Sequence, residues 1–187
     1  ATWIQKQLQQ HSIAEVVNKE WTGLVIQPLS LPTSLKMLVG WTKEKADTSS
    51  FVSSVTRTRT QAEKDTYYQQ FLKQNTAILN QITTALTNED TEAFLQGITD
   101  NRDLLLDFAK EMNIVLETPS LTKLCQIALQ ENASAKTSGA GGGDCGICFI
   151  TKSQQEETIT TQWEKAGILP LNLEIAPSKS AIRKELS

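Results

Sequence analysis

Apolar residues change their spacing several times along the chain, and each change marks a predicted element. Ile4 and Leu8 stand four apart at the start, a helical spacing, and Ser12-Ile13-Ala14-Glu15 has the S-x-x-E form of a capping box. A short helix is therefore expected up to Glu20, closed by Trp21-Thr22-Gly23. Leu24-Val25-Ile26-Gln27, stopped by Pro28, is a compact apolar run that predicts a strand, and residues 35–41 predict a second after the turn at 29–32. Between Gly40 and Ser50 the residues become Thr, Lys, Glu, Asp and Ser; a polar break after a buried strand is where α/β folds put ligand loops.

From Gln61 the period turns helical, with Phe71, Leu72, Ile78, Leu79, Ile82, Ala85 and Leu86 on one expected stripe. Thr87-Asn88-Glu89-Asp90 predicts a turn, and Phe94, Leu95, Ile98, Leu105, Phe108 and Met112 a second long helix. Thr118-Pro119 puts a capping residue before a first-turn proline, which starts a third helix carrying Leu121, Leu124, Cys125 and Ala128. Residues 133–137 are too short and small to assign by themselves. Ile147-Cys148-Phe149-Ile150 reads as a buried strand, residues 154–166 as a helix closed by Gly167, and residues 169–175 as a last strand with Pro170 near an edge. The residues after Pro177 read as a frayed tail. Strands and helices grouped this way predict an α+β fold, one antiparallel sheet backed by helices.

Composition narrows the function classes. The 187 residues carry 18 Lys and Arg against 21 Asp and Glu, a net charge of −3, so no cationic surplus exists to neutralise nucleic-acid phosphates. A hydrophobic share of 39% is enough for a core at this length, while no apolar run reaches a membrane span. Three cysteines, an odd number, argue against a disulfide framework and for a reducing compartment; a cytoplasmic protein with no nucleic-acid or membrane partner is expected.

The densest chemical signal is Lys136-Thr137-Ser138-Gly139-Ala140-Gly141-Gly142-Gly143-Asp144-Cys145-Gly146: five of the nine glycines fall between Gly139 and Gly146. Glycine costs backbone entropy, so such a cluster needs a reason. One reason is a loop of bare amides forming a nest for phosphate oxygens; the alternative is a flexible linker. The segment runs straight into an apolar strand, which favours the loop. It lacks the Lys that a Walker A loop requires after its second glycine. Cys145-Gly146-Ile147-Cys148 also fits C-x-x-C, but a redox thiolate wants a helix N-terminus, and zinc needs two further ligands where only Cys125 and His11 remain. No metal-ligand set is predicted.

Lys136-x-Ser138-Gly139-Ala140-Gly141-Gly142-Gly143-Asp144 resembles the third conserved motif of the galactokinase–homoserine kinase–mevalonate kinase–phosphomevalonate kinase superfamily. The Asp144-Cys145 ending is most similar to the phosphomevalonate kinase branch. Leu38-Val39-Gly40-Trp41-Thr42, followed by Ala46, Thr48, Ser49 and Val52, resembles the Gly-Trp-Thr strand and Ala-Ser-Thr loop of the bacterial members, and Trp21-x-Gly23-Leu24 with Leu29 also fits.

The resemblance implies a C-terminal domain with a ferredoxin-like core and extra helices. It implies ATP and Mg²⁺ as cofactors and phosphomevalonate as the small-molecule substrate, converted to the diphosphate on the mevalonate route to isoprenoids. It makes Ser138, Gly139, Ala140, Gly141, Gly142, Gly143 and Asp144 the expected phosphate loop, and Asp47, Thr48 and Ser49 candidate substrate contacts. Asp47 departs from the pattern, standing where a Ser is expected; either Asp47 or Thr48 alternatively caps a helix starting near Ser49. Family members are about twice this length, with the nucleotide loop and the catalytic residue in their first half. The chain, beginning at Ala1 inside an apparent helix, is thus expected to be a C-terminal half, inactive without the N-terminal half as its partner. Residues 1–34 would be trailing elements of the first domain, 35–176 the phosphate-loop domain and 177–187 a tail. The alternatives are another small-molecule kinase of the superfamily, for mevalonate or a sugar, and a non-catalytic interaction domain on the same fold.

Overall fold

The structure, a computed structural model, describes residues 2–21, 28–45, 61–139 and 141–175. The expected strand at 24–27, Asp47, Thr48, Ser49, Ala140 and the tail lie outside the described residues. Two short helices open the chain, α1 (Thr2–Leu8) and α2 (Ile13–Asn18). The capping box of α2 forms as expected: the Glu15 amide donates to Ser12 Oγ at 3.3 Å and the Ser12 amide donates to Glu15 Oε2 at 2.8 Å.

Strand β1 (Lys36–Trp41) then leads to three longer helices, α3 (Gln61–Thr87), α4 (Thr91–Met112) and α5 (Pro119–Gln130). Their boundaries follow the local chemistry. Asp90 caps α4 by accepting from the Ala93 amide at 3.0 Å, Asn113 ends α4 in the left-handed region, and Thr118 caps α5 ahead of Pro119. Strands β2 (Ser134–Thr137) and β3 (Cys145–Ile150), helix α6 (Ser153–Lys165) and strand β4 (Leu169–Leu171) complete the order.

All pairings are antiparallel, and the sheet runs β2-β3-β1-β4. With α5 and α6 as its two crossovers, β1-α5-β2-β3-α6-β4 is the ferredoxin-like arrangement, and α3 with α4 is the addition. The register places Leu38, Ala135, Cys148 and Ile150 on one face, packed with Leu124, Ile127, Ile159 and Trp163 of α5 and α6. Met37, Ile147 and Phe149 point to the other face, where Phe149 meets Phe94 of α4 edge-on at 4.9 Å between ring centroids. The sheet is thus covered on both sides.

Gly40 and Gly146 pair directly across β1 and β3. A Cβ on Gly40 would stand 2.8 Å from Leu124 Cδ1, and one on Gly146 2.6 Å from Leu124 Cδ2. The two missing side chains form the seat into which Leu124, fully buried, inserts. Trp163, also fully buried, satisfies its indole N–H by donating to the Leu124 carbonyl at 3.1 Å.

Two details differ from the sequence reading. Leu72 and Leu79 are exposed, at 36% and 47%, because they lie off the inward stripe, which is Phe71, Ile78, Ile82, Ala85 and Leu86. The last strand stops at Leu171, where its pairing with Val39 ends and the Leu173 amide turns back to the Leu171 carbonyl at 3.1 Å.

Candidate functional site

The glycine loop joins β2 to β3 at the end of the sheet where β1 finishes in Trp41. Its backbone is left-handed through four residues: Gly141 (φ 79°), Gly142 (φ 76°), Gly143 (φ 141°) and Asp144 (φ 55°). Such a run is open to glycine and, at single positions, to Asp or Asn. Residues 141–144 therefore follow a tight turn pinned by packing and hydrogen bonds, unlike a flexible linker.

Several of its amides are already engaged. The Ser138 amide donates to the Cys145 carbonyl at 3.0 Å, the Gly142 amide to the Leu116 carbonyl at 2.8 Å and the Asp144 amide to the Glu44 carbonyl at 2.7 Å. Thr42 holds the Asp144 carbonyl through both its amide and its hydroxyl, each at 2.8 Å. The amides of Gly139, Gly141 and Gly143 make no such bond among the described residues. Ser138, Gly139 and Asp144 are exposed, Gly142 is half-buried, and Gly141 and Gly143 are buried.

Gly141 has an internal reason to be glycine. A Cβ there would collide with the Leu116 carbonyl oxygen and stand 2.8 Å from Leu116 Cδ1. At Gly139 an added Cβ meets nothing within 4 Å. Part of the glycine content serves close packing against Leu116, and part leaves the backbone clear of neighbours.

Glu44, Leu116 and Ser120 gave no signal in the sequence, since each belongs to a segment far along the chain from the glycines. Ser120 Oγ donates to Glu44 Oε1 at 2.7 Å. The hydroxyls of Thr118 and Ser120 hold the Glu44 carboxyl below the ordinary carboxylate range. Behind them Arg102 and Glu117 form a two-pronged ion pair, Nε to Oε1 at 2.7 Å and Nη2 to Oε2 at 2.8 Å. Lys136 extends from β2 and donates from Nζ to the Thr137 carbonyl at 2.9 Å; burial pushes its ammonium pKa down.

The cysteines are packing groups. Cys125 and Cys148 are buried, and burial pushes both thiols up to about 12. Cys145 is half-buried and paired with Trp41, on the opposite face of β3 from Cys148. The C-x-x-C pair therefore presents no joint dithiol.

Chemically, an ordered turn with open amides beside a helix start can hold the oxygens of a phosphoryl group. Among the described residues no three His, Cys, Asp or Glu side chains gather around one point, and the Glu44 carboxylate accepts from the Ser120 hydroxyl. Nor is any helix among them long and apolar enough to cross a membrane.

Residues 82–169, from the second half of α3 to the start of β4, match the profile described as GHMP kinases C terminal. Those residues form a GHMP-kinase C-terminal domain. The chain is 36% identical over 155 residues to the phosphomevalonate kinase of Streptomyces sp. (strain CL190), a match covering 82% of this chain and 41% of that enzyme. A Listeria innocua protein of known structure superposes with a TM-score of 0.85 at 31% identity, over 94% of this chain and 49% of its own. Streptococcus pneumoniae phosphomevalonate kinase, solved in complex with phosphomevalonate and AMPPNP, superposes with a TM-score of 0.75 at 29% identity, over 92% of this chain and 49% of its own. The chain thus spans about half the length of these relatives.

Proposed function

We propose that this chain is the C-terminal half of a cytoplasmic kinase that transfers the γ-phosphoryl group of ATP to phosphomevalonate, yielding a diphosphate. The likeness to the Streptomyces enzyme, which extends over most of this chain, carries the reading. The ordered glycine loop supports it by supplying what phosphoryl transfer asks of a protein, fixed donors at the place where charge is redistributed. In this proposal residues 138–144 hold phosphate oxygens, with the exposed Gly139 amide among the donors, while Asp47, Thr48 and Ser49 contact the substrate. Residues 1–34 belong with the preceding domain, 35–176 form the phosphate-loop domain and 177–187 are a tail. The nucleotide loop, the Mg²⁺ ligands and the catalytic residue are contributed by the N-terminal half, so the 187-residue chain alone shows no turnover.

The test is an ADP-release assay on the full-length protein with phosphomevalonate, mevalonate, homoserine and galactose, each with ATP and Mg²⁺. Turnover on phosphomevalonate is expected. Turnover on one of the others with none on phosphomevalonate, or none on any substrate, overturns the proposal. Turnover by the isolated 187 residues, free of full-length enzyme, overturns the division of labour between the halves.

A further inference from the structure

We propose that the buried Arg102–Glu117 pair is a positioning device for the glycine loop, acting through the backbone of Leu116. Its consequence for catalysis rests on the kinase reading above; its consequence for the loop does not.

The pair is unusual in its setting. The Arg102 and Glu117 side chains are 12% and 3% exposed, and the guanidinium meets the carboxylate with two parallel hydrogen bonds. Cys125 adds a long contact, Sγ to Glu117 Oε1 at 3.8 Å. A buried ion pair does little better for stability than apolar side chains filling the same space, because desolvation offsets the attraction. What it supplies in exchange is direction: a planar fork fixes the carboxylate in angle as well as distance.

Glu117 is covalently next to Leu116, and the Leu116 carbonyl is the acceptor for the Gly142 amide. The same oxygen lies where a Cβ on Gly141 would be. That carbonyl therefore has little freedom: closer, it crowds Gly141, and farther away it loses Gly142. On its other side Glu117 is followed by Thr118 and Ser120, whose hydroxyls hold the Glu44 carboxylate, and the Glu44 carbonyl takes the Asp144 amide. One segment, residues 116–120, thus grips the loop twice: directly at Gly142, and through Glu44 at Asp144. Arg102, projecting from α4, ties that segment to the rest of the fold. The hydrogen bonds of the two charged side chains go to each other and to Cys125 rather than to the loop, so both are positioning residues.

The test uses the full-length protein with Glu117→Gln, which keeps the shape and removes the charge, and Arg102→Lys, which keeps the charge and removes the fork. Ile127→Val, a small loss in the core of α5, serves as the control for lowered stability. Hydrogen exchange in a peptide covering residues 138–144 reads the loop, and kcat and KM for phosphomevalonate are measured beside it. Glu117→Gln is expected to speed exchange in this peptide about tenfold relative to the control at equal distance below Tm, with Arg102→Lys in between. The KM for the phosphate acceptor should rise by a similar factor, while Ile127→Val leaves it unchanged. Exchange in Glu117→Gln indistinguishable from Ile127→Val overturns the proposal. If Glu117→Gln does not fold, Arg102→Lys carries the test alone: exchange in residues 138–144 faster than in Ile127→Val supports the proposal, and equal exchange overturns it. A loop that loosens as expected in a protein that phosphorylates nothing would overturn the kinase reading and leave the positioning role standing.

Discussion

Gly139 and Gly141 lie two residues apart in one loop, yet the space around them differs completely. A methyl group at Gly139 would enter open space, whereas at Gly141 it would meet the Leu116 backbone on a residue already at φ 79°. Gly146, just beyond the loop, belongs with Gly141, since its absent side chain is replaced by Leu124. Glycines that look alike in the sequence thus divide into those filled by the molecule and those left clear. The first group defines the shape of the loop, and only the second can face a ligand.

Substitutions can break or sharpen this division. Gly141→Ala should cost the most, on the order of 3 kcal/mol, from a disfavoured φ together with a collision against backbone that cannot swing aside. Urea unfolding of the variant measures it, and a loss no larger than that of Gly139→Ala would erase the distinction. Gly146→Ala should cost about 2 kcal/mol, because Leu124 is a side chain and can partly yield. Combining it with Leu124→Ala should recover about 1 kcal/mol of that cost, and simple additivity would show that Leu124 is not what fills the seat.

Acid should act on the grip at Asp144. The Glu44 carboxyl titrates below its ordinary value of 4.5 in the folded chain, so its contribution is present above pH 4.5 and is lost as pH falls through the lower folded value. Exchange in residues 138–144 should accelerate in that window, after correction for intrinsic rates, and Glu44→Gln should flatten the dependence. Gly139→Ala should be the mildest change, within about 0.5 kcal/mol of the parent in stability. If the open amide at Gly139 serves a phosphate, the substitution nonetheless raises the KM for the acceptor; unchanged kinetics would remove Gly139 from the ligand-facing part of the loop.

Much of the fold was legible because its signals are local. The Ser12–Glu15 box, Asp90 and the Thr118-Pro119 start each act within four residues, and each begins the helix it announces. β2 was not, because Ser134-Ala135-Lys136-Thr137 is only four residues long, with Thr137 its one β-branched residue and no aromatic to mark a strand. Pairing with β3 and burial of Ser134, Ala135 and Thr137 make it a strand. The site was legible by halves. Glycine density announced a special loop, but which amides remain open depends on Leu116 and Glu44, whose carbonyls arrive only through tertiary packing. A carbonyl oxygen has no residue type to betray it.

The loop is held by segments near residues 42–44 and 116–120, with the whole α3–α4 hairpin threaded between them. That hairpin joins neighbours along the chain and closes a short turn, a fast event. The glycine loop, by contrast, takes its form only after β1 has returned to β3 across that intervening length, which makes it a late product of folding. A nascent or partly unfolded chain can therefore display most of its helices while the loop proposed to hold phosphate has not yet taken shape. Under that proposal, binding competence would report completion of the fold.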